Sequence, residues 1–185
     1  MKKIKNKFPI LLMCISVGLL IVNSLLVYQN INLQSQISSS KPKVIDENTV
    51  LDEFEAKDLA GNQTKVSYSG NGKKNVLLYF KTSCGFCHKQ MPYWKELTSD
   101  VDKKYKVTAI TTDTNVEAIN EYLKKYEVEN WEVLIIDNDQ AQKAKLLGTP
   151  ITIVANESGK VEKAWIGFWQ DKTKLSINDY FLTNI

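Results

Sequence analysis

Residues 76–91 decide the fold of this chain, and they read VLLYFKTSCGFCHKQM. The apolar run Val76–Phe80 is typical of a buried central strand. A helical segment begins near Cys84, so the motif Cys84-Gly85-Phe86-Cys87 lies at a helix N-terminus. The unpaired amides and positive potential of that terminus favour a thiolate over a thiol. We therefore expect Cys84 to be the exposed nucleophile with a lowered pKa. We expect Cys87 to be more buried and to resolve the mixed disulfide that Cys84 forms with a partner.

Strand and helix signals alternate on both sides of this motif. The turn dipeptide Gly61-Asn62 separates two short strand-like runs, which predicts an N-terminal hairpin. Alternating strands and helices after it imply a sheet with parallel crossovers and helices on both faces. The expected strands are 54–56, 64–68, 76–80, 107–110, 133–136, 151–154 and 161–166. The expected helices are 84–101, 116–126, 140–147, which Gly148 ends, and 171–182.

An N-terminal targeting segment precedes this domain. Four lysines lie within residues 2–7, and residues 10–28 are almost continuously apolar. A helix of that length spans about 28 Å, close to the hydrocarbon thickness of a bilayer. Lysines on the short N-terminal side predict that this end stays in the cytoplasm and the rest lies outside. We therefore expect a cytoplasmic basic tail (1–9), a transmembrane signal anchor (10–28), a polar tether (29–45) and a redox domain (46–185).

Three alternatives stay open for this segment. A cleaved signal peptide would have a shorter apolar core and a small-residue cleavage site. A lipid-modified cysteine at Cys14 would need small residues before it, where Leu12 and Met13 stand. The tether, rich in Ser, Gln and Asn, is either an extended spacer or a short helical extension of the anchor.

Composition excludes several classes of function. The net charge is +3, but outside the four N-terminal lysines the chain carries 20 Lys against 21 acidic residues, a balance of −1, so nucleic-acid binding is not expected. The chain has three cysteines and one histidine, which is too few for a disulfide framework or a four-ligand metal centre. We therefore expect neither a metal nor another cofactor.

Two prolines outside the motif argue against a merely structural cysteine pair. Pro92 lies five residues after Cys87 in the same helix, and Gly148-Thr149-Pro150 stands just before an apolar strand. With the strand and the cysteine motif, these features resemble the thioredoxin superfamily over roughly residues 50–182. The resemblance implies a thioredoxin fold, a central mixed β-sheet flanked by helices, here with an N-terminal hairpin and a central βα insertion after one transmembrane helix. It also implies that Pro150 is cis and that Thr149 offers its backbone to an extended substrate.

Within that superfamily the anchor, hairpin and extra βα unit look like the extracytoplasmic TlpA/ResA-like branch of the bacterial envelope. The site departs from that branch, since Ser83 stands where Trp is common and Gln90 where ResA-like members have Glu. Leu78 occupies the position of the buried acid of thioredoxins, so the usual proton acceptors are absent. The run Cys84-Gly85-Phe86-Cys87-His88-Lys89, with Thr before the proline, is similar to the site of DsbC-type disulfide isomerases.

Several side chains near the motif are candidates for supporting roles. His88 is the natural proton shuttle near neutral pH, or alternatively a helix-surface residue. Lys81 and Lys89 are cations that would stabilise a thiolate, or alternatively solvated surface charges. Two groove residues and one substitute acid complete the set: Phe86, Trp169 and Glu96.

These features predict an enzyme that exchanges disulfides with exported, cysteine-containing proteins through a Cys84–Cys87 redox disulfide. A reductive direction implies, by resemblance, a membrane electron donor of the CcdA/DsbD kind, and an oxidative direction implies a quinone-linked partner. Two alternatives are a copper-binding chaperone on the same fold and a thiol peroxidase. The peroxidase needs Thr or Ser three residues before its reactive cysteine, where this chain has Lys81.

Overall fold

The computed structural model describes residues 8–40, 45–69, 72–101 and 104–183. The chain divides into two compact units, Met1–Pro42 and Lys43–Ile185.

The first unit contains a single long helix among its described residues. Helix α1, Phe8–Ser40, has 33 residues, and its segment Leu11–Leu33 is long and apolar enough to cross a membrane. The helix continues through residues 29–40, so this part of the expected tether adopts the helical alternative. Residues 41–44 of the tether and residues 1–7 of the basic tail lie outside the described residues.

The second unit contains a sheet of seven strands in the order β2-β1-β5-β4-β3-β6-β7. Its strands are β1 (Phe54–Lys57), β2 (Gln63–Val66), β3 (Lys74–Phe80), β4 (Tyr105–Thr111), β5 (Glu132–Ile135), β6 (Ile151–Ala155) and β7 (Val161–Ile166). Its helices are α2 (Gly85–Val101), α3 (Val116–Lys125), α4 (Asn138–Lys143) and α5 (Asp171–Thr183).

Strand β3 lies inside the sheet and delivers the cysteine motif. It pairs in parallel with β4, which pairs in parallel with β5, and it pairs antiparallel with β6. The N-terminal hairpin β1–β2 joins the free edge of β5 through the pair Lys57–Ile135. The sheet is therefore mixed, with a β5–α4 unit between the motif helix and Pro150, as the sequence predicts.

Helices cover both faces of this sheet because the residues of β3 alternate between two cores. Val76, Leu78 and Phe80 pack with residues of α2, α3 and α5. Leu77 and Tyr79 pack on the opposite face with residues of α4 and of the segment before β1. A strand buried on both faces reads as a continuous apolar run, which explains why this one is easy to find in the sequence.

Two sequence expectations are wrong at the ends of elements. Helix α4 ends at Lys143 with Ala144 as its C-cap, and Gly148, with φ +112°, instead belongs to the loop that leads to Pro150. Strand β2 ends at Val66, two residues before the expected end, and the Tyr68 carbonyl accepts a hydrogen bond from the Asn75 side chain at 2.8 Å instead of one from β1.

Candidate active site

The loop between β3 and α2 is held by an acid from the neighbouring strand. Asp113 follows β4, whose carboxyl end lies beside that of β3. Its Oδ2 accepts hydrogen bonds from the Thr82 amide at 2.6 Å and the Thr82 hydroxyl at 2.7 Å. The Cys84 amide in turn donates to the Lys81 carbonyl at 3.1 Å. Cys84 therefore enters α2 from a loop fixed at two points.

The two cysteines lie at the N-terminus of α2, Cys84 just before its first residue and Cys87 in its first turn, and they differ in exposure. Cys84 is half-buried, Cys87 is 0% exposed, and both are free thiols. The Cys87 amide donates to Cys84 Sγ at 3.3 Å, because the helix N-terminus leaves that amide without an intrahelical acceptor. One sulfur thus faces the surface while the other belongs to the core.

The same turn moves the two thiol pKa values in opposite directions. Partial burial works to raise the pKa of Cys84, but hydrogen bonds from Thr149, Cys87 and the Phe86 amide outweigh it, so this pKa is lowered. Burial raises the pKa of Cys87 to about 12, against a hydrogen bond from the Lys81 backbone that lowers it. At neutral pH Cys84 is therefore the available nucleophile, and Cys87 holds its proton.

The loop before β6 brings Thr149 and Pro150 to the Cys84 sulfur. The Thr149–Pro150 peptide bond is cis, as the sequence resemblance implies. Cys84 Sγ donates to the Thr149 carbonyl at 3.5 Å. Hydrogen bonding with Thr149 is also among the causes that lower the pKa of Cys84. Thr149 therefore lies directly against the reactive sulfur.

His88 points away from solvent and into an aromatic cluster. Its Nδ1 lies 2.7 Å from the Tyr126 hydroxyl, and its ring lies 4.9 Å from the ring of Tyr122. Tyr122 is buried and stacks on Phe80 at 5.4 Å, and burial together with the nearby Cys87 raises its pKa. His88 is thus a half-buried residue held by α3 rather than a solvated helix-surface side chain.

The remaining candidates, two predicted groove residues and one predicted acid, differ in exposure and in distance from the cysteine pair. Phe86 is 58% exposed, with Lys89 Nζ 5.5 Å from its ring, and its role in a groove stays a prediction. Trp169 is only 3% exposed, so its predicted place in an open groove is wrong. Glu96 is exposed, three helical turns beyond Cys84, and lines a cavity of about 320 Å³ between α2 and α5.

Sequence reasoning missed the acid that does lie at the site. Asp113 gave one usable signal, since it follows a predicted parallel strand, and the carboxyl ends of adjacent parallel strands meet at one edge. Tyr126 gave no such signal, because its hydrogen bond to His88 depends on how α3 packs against α2.

No group of three or more His, Cys, Asp and Glu side chains suited to a metal ion occurs within the described residues. The chemistry that the site supports directly is that of the two thiols.

Comparison with known proteins gives one family and one fold. The Redoxin family model matches residues 46–177. No curated protein matches the chain. The thioredoxin domain of a thiol-disulfide oxidoreductase from Bacteroides vulgatus is similar, with 18% identity and TM-score 0.59 over 74% of this chain and 98% of that one.

Two further solved structures share this fold. StoA from Bacillus subtilis matches with 18% identity and TM-score 0.53 over 70% of this chain and 98% of that one. A peroxiredoxin-like protein from Aquifex aeolicus matches with 10% identity and TM-score 0.57 over 74% of this chain and 88% of that one. At these identities the likeness establishes the thioredoxin-like fold of the second unit.

Proposed function

The chain belongs to the Redoxin family, and from that premise we propose that it is an extracytoplasmic thiol-disulfide oxidoreductase that exchanges disulfides with exported proteins. The observation that carries this proposal is the asymmetry of Cys84 and Cys87. One thiol is partly exposed with a lowered pKa, and the other is buried one turn away with a raised pKa. In such a pair the first sulfur attacks the substrate disulfide, and the second later resolves the mixed disulfide.

The reductive direction proceeds in two balanced steps. The Cys84 thiolate attacks one sulfur of a substrate disulfide, which forms a mixed disulfide and releases the other substrate sulfur as a thiolate. Cys87 then loses its proton and attacks Cys84 Sγ, which breaks the mixed disulfide and releases the second substrate thiolate. The Cys84–Cys87 disulfide that results has given two electrons to the substrate. The oxidative direction is the same sequence in reverse.

The surface around Cys84 suits a protein substrate better than a small thiol. Thr149 lies beside the sulfur, in the loop where an extended peptide adds its backbone. Phe86, two residues after Cys84, offers an exposed apolar surface. The two residues favour an extended segment with an apolar side chain next to its cysteine.

The N-terminal segment supports an extracytoplasmic location of the redox domain. Helix α1 contains an apolar stretch long enough to span a bilayer, and four lysines precede it in the sequence. We infer that α1 anchors the chain with residues 1–7 in the cytoplasm and the redox domain outside. A membrane partner must then reset the cysteine pair, a CcdA/DsbD-like donor in the reductive direction or a quinone-linked acceptor in the oxidative one.

Trapping of the mixed disulfide tests this function. The full chain with Cys87→Ser, in a Cys14→Ala background, is expected to accumulate disulfide-linked adducts with envelope proteins, because the second step is blocked. The matched control, Cys84→Ser in the same background, is expected to accumulate none, since Cys87 is buried. Equal adduct formation by both variants contradicts the proposal.

Protease accessibility tests the orientation of the anchor. Protease added to intact cells should digest the redox domain, and protection of that domain would contradict the orientation.

A thiol peroxidase is the second candidate, and the likeness to a peroxiredoxin-like protein is the observation that favours it. In that reaction the Cys84 thiolate attacks a peroxide oxygen, and Cys87 condenses with the resulting sulfenic acid, releasing water. Peroxide consumption by the reduced full chain separates the two. A rate on hydrogen peroxide above the rate on a protein disulfide would favour the peroxidase.

A further inference from the structure

Gln90 is a fully buried polar side chain one turn beyond Cys87. It is 0% exposed, and its Oε1 accepts a hydrogen bond from the Trp169 amide at 2.9 Å. Trp169 follows β7 in sequence, so this bond joins the active-site helix to a loop 79 residues away. Because Gln90 and Trp169 are both buried, water does not compete for this hydrogen bond.

The loop Gly167–Trp169 is tied to the active site at its other end as well. The Gly167 amide donates to the Pro150 carbonyl at 2.8 Å, directly after the peptide bond that faces Cys84. Between these two anchors the Phe168 ring lies 6.0 Å from the ring of Tyr93 on α2. The loop therefore connects the proline loop to α2.

Gln90 satisfies only part of its hydrogen-bonding capacity, which indicates that its role is to position a neighbour. Among the described residues, neither Gln90 Nε2 nor Trp169 Nε1 has an acceptor, and both atoms are buried. Buried donors without partners lower stability, and an apolar side chain of similar volume would remove one of them. What Gln90 supplies that such a side chain lacks is the acceptor for the Trp169 amide.

We propose that Gln90 is a positioning residue that holds the Gly167–Trp169 loop as the second wall of the substrate groove. This role rests on the proposed disulfide exchange. It acts on the binding of an extended peptide that crosses Pro150 and the loop. A small disulfide reaches Cys84 without touching that wall. Gln90 is therefore expected to set the KM for peptide substrates and to have little influence on the thiols.

Two substitutions at one position separate the hydrogen bond from the packing. Gln90→Met keeps most of the volume and removes the oxygen acceptor. Gln90→Glu keeps an oxygen acceptor in either protonation state. Thr98→Val, on the same helix, is the matched control, because among the described residues the Thr98 hydroxyl donates to Lys95 of its own helix. Each full chain, in detergent, is first reduced and freed of reductant. Its single-turnover reaction is then followed over a range of concentrations of 5,5′-dithiobis(2-nitrobenzoate) and of a short peptide in mixed disulfide with glutathione, and the half-saturating concentration gives the KM.

Gln90→Met is expected to raise the peptide KM about fivefold to tenfold, the value of one buried hydrogen bond, with a much smaller change on the aromatic disulfide. Gln90→Glu should recover most of the peptide KM, and Thr98→Val should change it less than about twofold. Equal losses on both disulfides, or no loss for Gln90→Met, overturn the positioning role alone. A wild-type chain inert towards both disulfides overturns the proposed function as well.

Amide hydrogen exchange in the wild-type chain decides the matter if Gln90→Met does not fold. The Trp169 amide is expected to exchange slowly, at a rate similar to amides of β6, because its acceptor is buried. Exchange as fast as that of an exposed loop amide would overturn the proposal.

Discussion

The outer and inner sides of the first turn of α2 place two identical side chains in opposite chemical states. On the outer side partial burial acts to raise the pKa of Cys84, but hydrogen bonding with Thr149 and with the Cys87 and Phe86 amides lowers it. On the inner side Cys87 is buried among apolar residues, and its pKa is raised. Both sulfurs lie at the same helix N-terminus, so the helix dipole alone does not separate them. Burial and local hydrogen bonds decide which sulfur attacks.

The two sides are also supported by different parts of the molecule. The outer side depends on loops, namely the Asp113-bound turn before Cys84 and the Thr149–Pro150 loop. The inner side depends on core packing, where the Trp94 indole, 0% exposed, donates to Thr152 Oγ1 at 2.8 Å. Changes to the loops should therefore alter reactivity, and changes to the core should alter stability.

Removal of one cysteine sulfur at a time has the largest expected effect on the rate of disulfide exchange. In a Cys14→Ala background, which removes the other exposed thiol, Cys84→Ser should lower the rate of disulfide exchange at least about 1,000-fold, because the remaining thiol, Cys87, is buried. Cys87→Ser should leave the first attack on 5,5′-dithiobis(2-nitrobenzoate) within a few-fold and prevent release of the mixed disulfide. Stopped-flow absorbance measures both variants in the full chain. A fast first attack by Cys84→Ser would remove the distinction between the two sides.

The pH dependence of alkylation should differ most clearly between the two thiols. The Cys84 pKa is lowered, so its rate with iodoacetamide should fall only as pH drops below the usual range of a thiol, near 8.5. The Cys87 pKa is raised to about 12, so in Cys84→Ser the rate should still be rising above pH 10.

At neutral pH the thiolate fraction of Cys84 is then expected to be far larger than that of Cys87. Mass spectrometry of the alkylated chain over a pH series gives both profiles. Overlapping profiles would mean that burial does not separate the two sulfurs.

Loss of the Asp113 side chain should disturb the outer side. Asp113→Ala leaves the Thr82 amide and hydroxyl without their acceptor, at a cost of about 2–3 kcal/mol in the free energy of unfolding. The loop that presents Cys84 should loosen, and the rate of first attack should fall several-fold. Urea unfolding and stopped-flow absorbance measure the two effects, with Asp139→Ala, an exposed acid on α4, as control. Unchanged kinetics would show that Thr82 does not position Cys84.

Thr152→Val should disturb only the inner side. The change keeps the shape of the side chain and leaves the buried Trp94 N–H without a partner, which costs about 1–2 kcal/mol. Thermal unfolding should register the loss, while the alkylation rate of Cys84 should stay the same. A shifted Cys84 profile would mean that the core and the reactive sulfur are coupled.

The smallest effect is expected for Lys89→Ala. Lys89 is exposed, and its contact with the Phe86 ring is a surface interaction worth about 0.5 kcal/mol. The rate of attack should change less than about twofold, with Lys172→Ala, an exposed lysine near the start of α5, as control. A tenfold change would make this cation part of the site.

The features that the sequence predicts well are those set by local pattern. The buried strand Lys74–Phe80 is a continuous apolar run, and the cysteine motif fixes the start of α2. The seven strands and four helices of the second unit appear in the expected order. The cis bond before Pro150 follows from resemblance to a family rather than from local pattern.

The features that the sequence does not predict depend on contacts between distant residues. The Asp113–Thr82 and Gln90–Trp169 hydrogen bonds cross 31 and 79 residues. Trp169 was expected in an open groove, but large aromatic side chains more often fill a core, and this one does. Helix α4 ends early because Lys145, at φ +57°, turns the chain before Gly148 is reached.

The central claim is that Cys84 and Cys87 form a reversible redox couple, and an equilibrium titration of the full chain in detergent tests it most directly. The chain is equilibrated with glutathione and dithiothreitol buffers, and its free thiols are counted after alkylation. We expect one two-electron transition between about −270 mV, the range of a reductase, and −120 mV, the range of an oxidase. That transition should vanish in Cys84→Ser and in Cys87→Ser, each made in the Cys14→Ala background because Cys14 is a third free thiol. A chain whose Cys84 and Cys87 show no reversible transition across this range would contradict the claim.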